Sequence, residues 1–223
     1  MEWLKRKLFV AYRRVGLGFL NWHGKWKLDR LHYVSLLASR PPQAIAPVWS
    51  DLWFLYRTVR ARKPKVVLEF GSGCSSIIMA QALADNARQG SSGFLHSLDS
   101  EPHWGELTIA SLPMHLKPFC EVILTAAVPT DLDGTPVWRY RDVPDVVPDF
   151  IYLDGPKFTK ERRAAVDVLD IEDRLPQNFC LLVDARLKNC ALLERHFKRH
   201  HHKTFRPIIK NTTYELTGES PEN

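Results

Sequence analysis

The sequence predicts an α/β fold: a doubly wound, mostly parallel seven-stranded sheet with an antiparallel C-terminal hairpin edge, preceded by N-terminal helices. Three observations carry this. From Lys65 onward, short apolar runs alternate with helix-period segments, as expected of strands covered by helices on both faces. The first run opens into a glycine loop, Glu69-Phe70-Gly71-Ser72-Gly73-Cys74-Ser75-Ser76. The last two runs bracket Lys210-Asn211-Thr212, a hairpin turn.

Residues 1–39 read as helical, because Leu4, Leu8, Tyr12, Val15, Phe19, Trp22 and Trp26 recur at steps of three or four. Gly16 and Gly18 each weaken a helix by about 1 kcal/mol relative to Ala, which leaves one helix or two with a joint. Arg40-Pro41-Pro42 breaks the segment, and a second helix is expected over 48–60. Strands follow at 66–70, 94–99, 120–126, 150–153 and 179–183, with helices over 75–88, 101–112, 159–174 and 188–202. Residues 127–148, rich in proline, glycine and charge, read as a long surface loop. Strands at 204–209 and 213–216 form the hairpin. The chain thus divides into a basic helical arm (1–45), one α/β domain (46–217) and a frayed tail (218–223).

The 223 residues suffice for a core without disulfides or metal. The net charge of +6 is uneven: residues 1–40 carry nine Lys/Arg and two acids, and the remainder is close to neutral. A nucleic-acid-coating protein would spread its charge further, which argues against that class. Cys74, Cys120, Cys180 and Cys190 show no CxxC spacing and read as reduced thiols, giving the expectation of a cytoplasmic protein. No apolar run is long enough to span a bilayer.

The glycine loop lies where ligands bind in open α/β sheets, at the carboxyl ends of the strands. Ser76 stands where a dinucleotide fingerprint needs its third glycine, and no P-loop is present. Glu69 at the end of the first strand repels phosphate and attracts a cation. Asp99, ending the second strand, stands where a carboxylate can accept from both ribose hydroxyls. Two acids about a glycine loop suit a ligand with an amino group, a sulfonium charge and a ribose, but no phosphate.

These residues resemble the E/D-x-G-x-G loop and the acidic second-strand end of class I S-adenosylmethionine-dependent methyltransferases, whose fold is Rossmann-like. The resemblance runs from about Ala46 to Leu216. It implies a cofactor site at Glu69, Gly71, Ser72, Gly73, Ser75, Ser76 and Asp99, with Glu69 toward the cofactor's amino group and Asp99 on its ribose. Asp149-Phe150-Ile151-Tyr152-Leu153-Asp154-Gly155-Pro156-Lys157 resembles the D-x-x-x-x-D-A-x-K stretch of small-molecule O-methyltransferases similar to catechol O-methyltransferase. That resemblance implies catalytic roles for Asp154 and Lys157, and a divalent metal (magnesium) on Asp154 and Asp184. The pattern is incomplete, since Ala185 stands where the family places Asn, and only a loop bending back would bring Asn189 into its place. Without metal, Asp154 is a general base or an acceptor for the substrate; as a bare Asp-Gly pair it would simply cap a turn.

The expected function is methyl transfer from S-adenosylmethionine to a small-molecule or glycan hydroxyl. The alternative is a non-catalytic nucleoside-binding or membrane-peripheral scaffold on the same fold. A nucleic-acid methyltransferase is disfavoured by the neutral body and by the lack of an N/D-P-P-[YF] motif. His103 and Trp104 could approach an adenine, and Trp138, Arg139, Tyr140 and Arg141 could read the acceptor. His196, His200, His201 and His202 read as a solvated, positively charged helix end rather than a metal cluster. The basic arm is expected to pack on the body or join two copies, next to lie on an anionic membrane, and last to touch nucleic acid.

Overall fold

The computed structural model describes residues 2–157 and 163–217. The expected tail over 218–223, and the beginning of the helix expected over 159–174, lie outside them.

The arm is one continuous helix, α1 (Glu2–Arg30), running through Gly16 and Gly18 and followed by a 3-10 turn at Val34–Leu37. It crosses α2 (Trp49–Arg62) at Gly24, where a Cβ would lie 2.7 Å from the Trp49 carbonyl carbon. Only a residue without a side chain permits that approach. Leu28, fully buried, seals the same face. Asp85 ties the layers together by accepting the hydroxyls of Tyr33 (2.6 Å) and Tyr56 (2.7 Å) and the Gln81 amide (2.8 Å).

The main sheet contains β1 (Val66–Phe70), β2 (Phe94–Asp99), β3 (Cys120–Leu124), β6 (Phe150–Leu153), β8 (Cys180–Asp184), β9 (His201–Arg206) and β10 (Asn211–Leu216). Its order is β3-β2-β1-β6-β8-β10-β9, and β10 runs antiparallel to both of its neighbours. The expected seven-stranded sheet and C-terminal hairpin are present, with the later hairpin strand inside and β9 on the edge, but the turn spans 207–210 rather than Lys210-Asn211-Thr212, so that Asn211 and Thr212 open β10.

Side chains alternate across the strands. Val67, Phe150, Tyr152, Cys180 and Leu182 pack under α2 and α3 (Cys74–Ala87). Leu68, Ile151, Leu153, Leu181 and Val183 pack on the other face, against a layer that includes α6 (Leu187–His196). Burying each such leucine or valine contributes roughly 1.5–3 kcal/mol. The alternation also sets the site: Glu69 shares the parity of Val67, and Asp184 that of Cys180 and Leu182, so both fall on the α2–α3 side.

Three expectations are corrected. Residues 127–148 are not all loop: β4 (Ala127–Leu132) and β5 (Thr135–Tyr140) form a hairpin. Its turn, Asp133-Gly134, has φ of 49° and 78°, the left-handed pair that a two-residue hairpin loop needs. Within 159–174, the described part is a two-residue strand, β7 (Ala164–Ala165), beside β5, then the short α5 (Asp167–Ile171) and a 3-10 turn. The helix expected to reach residue 202 ends at His196. Buried Glu172 accepts the backbone N–H groups of Lys198 and Arg199, each at 3.0 Å, and turns the chain into β9. His196 therefore lies on a helix and His201 and His202 on a strand, so the expected positive helix end is reduced to Arg195 and His196.

Candidate functional site

At the carboxyl end of β1 the chain reverses through Gly71, whose φ is +98°. A Cβ there would sit 2.8 Å from the backbone nitrogen of Gly155, in the loop after β6. A Cβ on Gly155 would sit 2.6 Å from the Gly71 nitrogen and against the Tyr140 hydroxyl. The two strand-end loops thus touch backbone to backbone, which accounts for glycine where the resembled pattern has alanine. Around Gly73 the position of a Cβ is open space, so a ligand can reach the peptide groups.

Serines hold this loop. Glu69, wholly buried, accepts the hydroxyls of Ser75 (2.5 Å), Ser76 (2.5 Å) and Ser97 (2.6 Å). Burial pushes the Glu69 carboxyl up to about 7, against the pull of those three hydroxyls. Ser76 also accepts the Gly73 N–H at 3.0 Å, fixing the start of α3. Asp99 accepts the backbone N–H (3.1 Å) and hydroxyl (2.5 Å) of Ser72 on one oxygen and the Glu101 N–H (2.9 Å) on the other.

Gly71, Ser72, Gly73, Ser75, Asp99, Asp154, Lys157 and Asp184 all line one cavity of about 340 Å³. Of the residues expected in the site, Glu69 and Ser76 do not line it: both lie behind the loop and reach the cavity only through their neighbours. Trp104 lines the wall, as does Tyr140. Arg139 instead points away, paired with Asp170 at 2.7 Å, and His103 is exposed outside the wall.

Sequence reading missed Asp51 and Arg186, and treated Arg40 only as part of a break. Asp51, in the first turn of α2, faces the same cavity as Asp154 and Asp184. Burial, then the charges of Asp184 and Asp154, raise it to about 7. Asp154 and Asp184 are both raised, first by burial; the charge of Asp184 raises Asp154 further, and Arg186 pulls both down. Arg40 donates to the Ile45 carbonyl (3.0 Å) and to Cys74, drawing the end of the arm across the cavity. No local signal marked Asp51; for Arg186 the signal was a cation two residues beyond a strand-end acid.

A divalent metal does not fit this arrangement. Arg186, nearly buried, donates to the Asp154 carbonyl and places Nε 3.6 Å from the Asp154 carboxylate, so a cation already stands there. Tyr152 donates to Asp184 at 3.1 Å. Ala185 offers no ligand, and Asn189 is fully buried with its amide donated to the Ala165 carbonyl at 3.1 Å. Among the described residues, no group of three or more His, Cys, Asp or Glu is placed to hold a metal ion.

No family model matches the chain, and no curated protein matches its sequence. Solved structures do match. The Podospora anserina methyltransferase PaMTH1, bound to S-adenosylhomocysteine, is 16% identical over 96% of this chain and 95% of its own, with a TM-score of 0.55. A candidate caffeoyl-CoA O-methyltransferase from Staphylococcus aureus is 13% identical over 96% of this chain and 100% of its own, with a TM-score of 0.53. A Geobacter sulfurreducens methyltransferase is 17% identical over 88% and 90%, with a TM-score of 0.51. At these identities the likeness is one of fold, and the chain has the α/β fold of these methyltransferases, with a mostly parallel seven-stranded sheet.

Proposed function

We propose that this chain transfers a methyl group from S-adenosylmethionine to a hydroxyl of a small molecule or glycan, with Asp154 taking the hydroxyl proton. The observation that carries the reading is one cavity with two chemically distinct ends: a glycine loop beside Asp99, and three carboxylates whose affinity for protons is raised.

The residues fit the cofactor. Asp99 uses three of about four acceptor positions on Ser72 and Glu101. Rotation of the Ser72 hydroxyl frees a second position, so both ribose hydroxyls can donate to Asp99. Open backbone at Gly73 and the start of α3 suit the carboxylate of an amino acid, which the positive end of a helix favours. The cavity lies in the size range of small-ligand sites. When bound, S-adenosylmethionine supplies a methyl group on a positively charged sulfur.

At the other end Asp154 lies deep among protein atoms, which raises its carboxyl, yet about half of its side chain is reached from the cavity, open enough to meet an acceptor. Its raised proton affinity brings it closer to the working range of a general base than an ordinary aspartate. Asp154 would take the proton of the acceptor oxygen as that oxygen gains the methyl group. Arg186 holds the Asp154 backbone and keeps a positive charge beside its carboxylate, so ionised Asp154 persists close to Asp184. No metal enters this scheme.

Calorimetry with S-adenosylmethionine and S-adenosylhomocysteine tests the first half, and heat of binding from both is the expected result. No heat from either overturns the reading and favours a scaffold on a methyltransferase fold. A screen of phenolic, sugar and lipid hydroxyls with labelled cofactor then identifies the acceptor.

A further inference from the structure

The face of α1 that packs on the body is the one carrying Gly24 and Leu28, and on the same helix Arg13 donates to the Ile208 carbonyl at 3.1 Å. The opposite face is exposed, with Tyr12 at its edge also reaching a cavity walled by Phe205 and Ile208. Tyr12, Val15, Phe19, Trp22 and Trp26 follow one another at steps of three and four, and all are exposed, by 40% to 73%. Their rings form a ladder: Phe19 to Trp22 is 5.8 Å between centroids, and Trp22 to Trp26 is 6.4 Å with planes 10° apart. Arg14 and Lys25, eleven residues apart, flank this stripe on one side, with Lys7 seven residues before Arg14. Lys27 and Arg30 stand on the other side, 4.8 Å and 5.2 Å from the Trp26 ring centre.

We propose that this aromatic stripe lies flat on an anionic lipid bilayer. Three features select that occupant. Indole and phenol rings with a polar edge favour the boundary between headgroups and acyl chains. Cations on both flanks would reach headgroup phosphates and carboxylates while the rings insert. The helix cannot cross instead, since no helix among the described residues is long and apolar enough. A second copy of the chain is the competing occupant, because steps of three and four also make a dimer seam. Charge disfavours it: residues 1–40 carry nine basic and two acidic residues, and pairing the stripe with itself would bring two such segments together.

The test is co-sedimentation of the full chain with vesicles of phosphatidylcholine alone and with about one third phosphatidylserine or phosphatidylglycerol. Expected is at least about tenfold stronger partition onto the anionic vesicles, weakening at high salt. Phe19→Ser with Trp22→Ser, both on the exposed face, should abolish it while leaving thermal unfolding unchanged. Equal partition onto both vesicle types, or undiminished partition of the variant, overturns the proposal. So does a stable dimer by light scattering that the same two substitutions dissolve. The outcome is independent of whether the chain binds S-adenosylmethionine.

Discussion

The two ends of the cavity solve opposite problems with the same residue type. On the β1–β2 side, Glu69 and Asp99 are almost fully engaged by hydroxyl and backbone donors. On the β6–β8 side, Asp51, Asp154 and Asp184 crowd one another and share mainly Arg186, Tyr152 and Ser50. Saturated carboxylates hold a shape, because each bond they accept fixes a loop. Crowded ones that face the cavity can exchange a proton with a ligand, because burial and neighbouring charge raise them; Glu69, raised as far by burial, is sealed behind the loop. The contrast supports the proposal of binding at the first end and proton transfer at the second.

Asp154→Asn should break the contrast most strongly. An amide keeps the shape and removes the base. With an acceptor in hand, turnover is expected to fall by about 10²- to 10⁴-fold, the usual contribution of a general base. Affinity for the cofactor should stay within about twofold. For the native chain, turnover should rise with pH as Asp154 loses its proton, and the rise should lie above the ordinary aspartate range because its carboxyl is raised. Because Asp154 and Asp184 act on each other, the rise belongs to the pair. An Asn variant that turns over at the native rate would remove Asp154 from the chemistry.

Asp99→Ala probes the other end and should do the reverse. Loss of hydrogen bonds to a charged group weakens binding by about 1.5–3 kcal/mol, so the cofactor dissociation constant should rise by one to two orders of magnitude. Turnover at saturating cofactor should change far less than in Asp154→Asn. Calorimetry reads the first quantity, and an unchanged affinity would take Asp99 out of the binding end.

The ends also differ in how legible they are from sequence. The binding end is built from neighbours in the chain: Glu69 to Ser76 is one turn into one helix, and Asp99 closes the adjacent strand. Local spacing therefore exposes it. The proton-transfer end is assembled by the fold, with Asp51 from α2, Asp154 after β6, and Asp184 and Arg186 after β8. Nothing in the local sequence around Asp51 announces that helix parity and sheet order will set it against two strand-end acids. The strands of the main sheet were legible because their apolar runs are short and bounded. The β4–β5 hairpin was hidden by proline and charge, although its Asp133-Gly134 turn carried the usual dipeptide signal. Glu69 was legible in position: the resemblance sets it toward the cofactor's amino group, directly or through water, and in the fold it is wholly buried behind Ser75, which lines the cavity.

That intermediary position gives the smallest effect and a sharp test. In the free protein Glu69 is held up to about 7, so below neutral pH it is largely protonated. A cationic ligand beyond Ser75 favours the ionised form, lowers that value and releases protons on binding. By linkage, affinity for S-adenosylmethionine must then rise with pH up to about 7 and level off above it. Release of one whole proton would give at most about tenfold per pH unit, and the intervening serine makes the rise shallower. S-adenosylhomocysteine lacks the sulfonium charge and should show a flatter profile. Asp51 and Asp154, also raised to about 7, face the cavity and contribute with the same sign. Glu69→Gln should therefore shrink the slope without abolishing it. If calorimetry finds the same slope in the variant, Glu69 only holds the loop and the charge it carries is not felt by the ligand. If the slope shrinks for S-adenosylmethionine and hardly changes for its demethylated product, the binding end senses the charge that the reaction consumes.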